Sequence, residues 1–94
     1  MKILYSIKFS ASENYDFTKT VYQQDLLEHG CYLQKLLEEG KLLLAGPFTN
    51  HAGGQVILNV DKEEEALSIV KNDPAVINKI FSYEINRWHI RFKQ

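Results

Sequence analysis

Apolar residues recur every second position at the start of this chain, then every three to four. The period then switches back and forth in an order that admits few folds. Ile3, Tyr5, Ile7 and Phe9 alternate with Lys2, Leu4, Ser6 and Lys8, so Lys2 to Ser10 reads as a strand. Ala11 to Asp16 is polar and aperiodic, a loop. A helix begins between Phe17 and Gln24. Leu26, Leu27, Leu33, Leu36 and Leu37 form its buried stripe and Gly40 ends it. Gly30 inside it costs about 1 kcal/mol against alanine, or marks a close approach. Lys41 to Ala45 is a second strand, broken by Gly46-Pro47. Phe48 to Gly54 is a loop, and Gln55 to Val60 a third strand, antiparallel to the second. Asp61 to Asn72 is a second helix. Asp61 and Glu64 make a capping-box-like pair, and Glu63 to Glu65 sit where the helix dipole favours negative charge. Asp73 caps a short turn that Pro74 begins and that runs to Ile80. Phe81 to about Phe92 is the last strand.

The order β-α-β-β-α-β defines an α+β, ferredoxin-like domain, with a four-stranded antiparallel sheet and both helices on one face. All 94 residues form one such domain. Leu42, Leu43 and Leu44 are consecutive, as are Val56, Ile57 and Leu58. Both faces of the central hairpin are then apolar, whereas a face open to water should alternate. A second copy of the sheet packed across that face resolves this, so a homodimer is expected, with a higher oligomer open. The alternative is a monomer whose long side chains cover the open face.

Composition removes several classes of function. Eleven Lys and Arg face twelve Asp and Glu, a net charge of −1, so no general attraction for nucleic acid or anionic lipid is expected. The single cysteine, Cys31, excludes an intrachain disulfide. No apolar run approaches the roughly 20 residues that cross a bilayer. The apolar start after Lys2 is interrupted by Lys8, too soon for a signal peptide. A cytoplasmic protein is expected.

Among residues able to carry chemistry, His29 shares the helix stripe of Leu26 and Leu33, so its imidazole points toward the sheet. That is the usual setting of a structural histidine. With a carboxylate neighbour it becomes a general base. Asp73 is explained by its cap, which leaves one oxygen for a second task. Gly46-Pro47 and Gly53-Gly54 frame a loop holding His51, without phosphate-loop spacing. Arg87, His89 and Arg91 share one face of the last strand, read as a solvated or dimer-facing edge. The histidines lack the short spacing of a metal site, and no cofactor is expected.

The set His29-x-x-Tyr32-Leu33, Gly40-Lys41-Leu42, Ala45-Gly46-Pro47, Gly53-Gly54, Glu65-Ala66 and Asp73-Pro74 resembles the YciI-like (YCII-related) family from about His29 to Trp88. The resemblance implies a dimeric α+β barrel and an active site around His29 and Asp73. It further implies proton-transfer chemistry of lyase or isomerase type on a small hydroxylated cyclic or aromatic substrate. Tyr32 would contact substrate or fill the pocket edge, and Gly46, Pro47 and Phe48 would form the rim, with His51 near it. Many members carry an arginine before the histidine, where this chain has Tyr22, Gln23 and Gln24. A non-catalytic dimeric module binding a small ligand or a protein is the alternative.

Overall fold

The computed structural model describes residues 2–94. Four strands, β1 (Lys2–Ala11), β2 (Leu42–Pro47), β3 (Gly54–Leu58) and β4 (Phe81–Ile90), form one antiparallel sheet in the order β2-β3-β1-β4. Three helices, α1 (Leu27–Glu38), α2 (Glu63–Lys71) and the single turn α3 (Pro74–Ile77), complete the α+β, ferredoxin-like order. Period-2 alternation in β1 turns Tyr5, Ile7 and Phe9 to the helices. Across the ladder, Ile7 stands opposite both Val56 and Ile85. Leu36 of α1, Ala66 and Val70 of α2, and Ala75 of α3 close the same core.

Several local expectations are corrected. The chain before α1 forms a 3-10 turn at Val21–Gln23 rather than the start of a helix. Its capping box is reciprocal: the Gln23 side chain accepts from the Thr20 backbone N–H at 2.9 Å. Leu27 and Leu37 are not core residues; they are 78% and 45% exposed, and the buried stripe of α1 narrows to Leu26, Leu33 and Leu36. A Cβ on Gly30 would meet nothing within 4 Å, so no close approach explains that glycine. α2 starts after Lys62, which makes no side-chain cap, and the Asp61–Glu64 box is absent. Its first turn still carries all three glutamates.

Gly46-Pro47 extends β2 instead of breaking it. β2 is an edge strand, where the missing proline N–H removes nothing essential. β3 ends at Leu58 and β4 at Ile90, so Arg91 and Phe92 lie beyond the sheet. The consecutive leucines have a specific cause. The β2–β3 register shifts between Leu42 and Leu44, a bulge at Leu43. Leu42 is buried toward the helices, while Leu43 and Leu44 face the outer side of the sheet with Leu4, Ile57 and Trp88.

Candidate active site

His29 lies in the first turn of α1, the helix laid over the Phe9 end of the sheet. Two aromatic rings set its plane. The imidazole meets Phe9 edge-on at 5.8 Å between centroids and Phe81 at 5.9 Å, and those two phenyl rings stack on each other at 5.5 Å. Asp73 arrives from the junction of α2 and α3. Its backbone is extended, and Pro74 takes the first position of α3. One carboxylate oxygen accepts the Ala75 N–H at 2.9 Å, the cap expected from sequence.

The same carboxylate also holds His29. Nδ1 of His29 is 2.7 Å from one oxygen of Asp73 and 2.8 Å from the other. Asp73 is the one buried charged side chain among the described residues, 1% exposed. An ionised carboxylate only accepts hydrogen bonds, so Nδ1 carries the proton and donates it. In the neutral ring, Nε2 is then left with a free lone pair.

His29 contributes to the wall of a cavity of about 530 Å³. Phe9, Val56 and Phe81 line it from the sheet, Leu27 and Leu33 from α1, and Val21 and Tyr22 from the turn before α1. Gly46, Pro47, Gly53 and Gly54 line it from the β2–β3 turn. Asp73 sits behind the imidazole and does not line the cavity. Gly53 has φ +114°, and a Cβ there would run into the Phe9 carbonyl oxygen. A Cβ on Gly54 would come within 2.7 Å of the Gly46 carbonyl oxygen. The two glycines let the β2–β3 turn close against β1 beside the site.

The remaining candidates are placed differently. Tyr32 is one turn beyond His29 but away from the cavity, donating its hydroxyl to the Ile69 carbonyl at 2.7 Å. Burial pushes its phenol pKa up, and the negative charges of Asp73 and Glu39 push the same way. Phe48 and His51 lie outside the cavity lining, their rings tilted against each other at 4.7 Å, and His51 Nδ1 donates to the Ala52 carbonyl at 2.9 Å. Arg87 and His89 are exposed on β4, opposite Tyr5 and Ile3. Sequence reasoning missed Phe9 and Phe81 as the rings flanking His29, and Val21 and Tyr22 as a wall. The Thr20-x-x-Gln23 box was the available signal for that wall. Among the described residues, no three His, Cys, Asp or Glu side chains gather as a metal would require, and no helix is long and apolar enough to cross a membrane.

Known proteins share this sequence pattern and this fold. The chain is 30% identical over 74 residues to the uncharacterized protein YjpA of Bacillus subtilis (strain 168), covering 79% of this chain and 87% of that protein. Its fold matches 5-chloro-2-hydroxyhydroquinone dehydrochlorinase (TftG) of Burkholderia phenoliruptrix AC1100, solved in complex with 2,5-dihydroxybenzoquinone. That match has a TM-score of 0.71 at 22% identity and covers 92% of this chain and 93% of the other. The YCII-related domain model matches residues 3–89, and the chain belongs to that family.

Proposed function

We propose that this protein is a proton-transfer enzyme of lyase or isomerase type that acts on a small hydroxylated ring and needs no cofactor. The observation that carries the reading is the buried Asp73 carboxylate bonded to Nδ1 of a histidine whose ring reaches an apolar cavity. Nε2 takes a proton from a ring hydroxyl, or from a carbon beside a carbonyl, and returns it at another position. In an isomerisation nothing else changes. In an elimination the proton taken by Nε2 passes to solvent instead of being returned, the electrons of the broken O–H or C–H bond form a new C=O or C=C bond, and a leaving group on the ring departs with its bonding electrons, so a proton and an anion are lost together. Asp73 fixes the tautomer and stabilises the imidazolium formed on the way. The ring bound by the structurally similar dehydrochlorinase supports the substrate class.

The assembly belongs to the same proposal. The outer sheet face carries Leu43, Leu44, Trp88 and Ile90 around a groove of about 710 Å³, with Leu44 63% exposed. A second copy, face to face, buries this surface in a self-complementary contact.

The test is chloride release from 5-chloro-2-hydroxyhydroquinone, run beside chlorine-free hydroxylated rings followed by absorbance. The expected result is turnover that falls by about 10²-fold or more in His29→Ala, the usual scale of a lost general base. Saturable binding without turnover, unchanged in His29→Ala, would replace the enzyme with a ligand-binding module.

A further inference from the structure

The cavity beside His29 offers a ligand no free charge. Among the described residues, no Asp, Glu, Lys or Arg lines it. Its two glutamines are engaged elsewhere. Gln24 Nε2 donates to the carbonyls of Asp16 at 2.7 Å, Thr20 at 3.2 Å and Lys19 at 3.3 Å, and its Oε1 accepts from the Asp16 N–H at 3.0 Å. Gln24 thereby pins the turn that forms one cavity wall, and its amide is not available to a ligand. Gln55 Nε2 donates to Ser6 Oγ at 3.1 Å, on the outer side of the sheet. Tyr22 stands at the rim, 84% exposed. Among the described residues, His29 and the exposed Tyr22 are the titratable side chains of the lining. Any charge His29 gains is already matched by Asp73 at 2.7 Å.

An anionic substituent seated against Phe9, Phe81 and Leu33 gives up part of its water and meets no unmatched cation among the described residues. Burial of an unpaired carboxylate is strongly unfavourable, and the negative charge of Asp73 behind the imidazole adds to the repulsion. A neutral hydroxyl fares differently. It donates to the free Nε2, while apolar substituents cover Phe9, Phe81, Leu33 and Val56.

We propose that the site selects by charge: it takes small uncharged rings bearing a hydroxyl and apolar substituents, and it rejects the same rings carrying a carboxylate. This rests on the proposed function, since it assumes that the His29 cavity is the ring site.

The test uses two rings that differ by one group, methylhydroquinone and 2,5-dihydroxybenzoate, titrated under argon at neutral pH into the full chain. Binding is read from the backbone amide resonances of Gly30, Gly46 and Gly54. Methylhydroquinone is expected to give saturable shifts. The carboxylated ring is expected to bind about tenfold more weakly or worse, the scale set by an uncompensated buried charge. Tyr22→Arg changes an exposed rim residue and supplies the missing cation, so it should narrow or reverse that preference. Equal or tighter binding of the carboxylated ring to the wild type overturns the selection by charge and leaves the ring site standing. Failure of both rings to move any of these resonances overturns the ring site and this proposal together. A Tyr22→Arg variant that binds the carboxylated ring no better than the wild type also counts against charge as the cause.

Discussion

Asp73 shows how one side chain caps a helical turn and holds a histidine at the same time. A carboxylate has about four acceptor positions. The Ala75 N–H takes one and the His29 Nδ1–H spans both oxygens. The cap holds the carboxylate still, so the histidine meets a fixed partner. The Asp-Pro pair announced the cap in the sequence, but nothing local could announce a partner 44 residues away. Tyr32 illustrates the opposite case. Its spacing from His29 suggested the same cavity, yet its hydroxyl tethers α1 to Ile69 in α2. Tyr32→Phe should cost about 1 kcal/mol, the net worth of one such bond. The pH dependence has a definite sign. The phenol pKa is raised in the folded state, so the native chain holds this proton more tightly than the unfolded chain. Its contribution is complete below the unfolded pKa of about 10 and is lost as pH rises through the folded value. Chemical denaturation between neutral and strongly alkaline pH should show that decline in the wild type, and a smaller one in Tyr32→Phe.

At the scale of elements, the strands were legible and the approach to α1 was not. β1 follows from alternation, and the β2–β3 hairpin from two short apolar runs divided by a glycine-containing loop, although Gly46-Pro47 extends β2 rather than ending it. The stretch from Phe17 to Leu26 carries helix-compatible residues, but its order comes from Thr20, Gln23 and Gln24 bonding to nearby backbone. Side chain–backbone bonds of this kind compete with helix and leave no periodic trace. The two internal glycines of the site region make contrasting predictions. Gly30→Ala places a methyl in open space within a helix and should stabilise the protein by about 0.5–1 kcal/mol. Gly53→Ala forces a side chain onto the Phe9 carbonyl at a positive φ and should destabilise by about 1–3 kcal/mol. Urea unfolding of the two variants should move in opposite directions. Stabilities that moved together would mean that helix propensity and backbone strain do not govern these positions.

For the whole molecule, the consecutive apolar residues of the hairpin carried the main message about assembly, and the bulge at Leu43 sharpens it. Without the bulge, one of Leu43 and Leu44 would turn inward. With it, both are exposed beside Trp88. The sequence could suggest two apolar faces but not this local doubling, because a bulge is a property of the pair of strands. Leu44→Glu puts a charge at the centre of the proposed contact and leaves the helix-side core untouched. Light scattering after size exclusion should give a dimer for the wild type and a folded monomer for the variant. A wild-type monomer would remove the second copy from the account.

Asp73 holds His29 with its proton on Nδ1, which leaves a free lone pair on Nε2 of a ring that lines the cavity. Long-range ¹H–¹⁵N spectra of the imidazole, recorded at a pH where the ring is neutral, test this without any substrate. The expected result is the Nδ1–H tautomer in the wild type and its loss in a folded Asp73→Asn variant, whose amide can offer Nδ1 a donor instead. An Nε2–H tautomer in the wild type, or the same tautomer in both proteins, would contradict it.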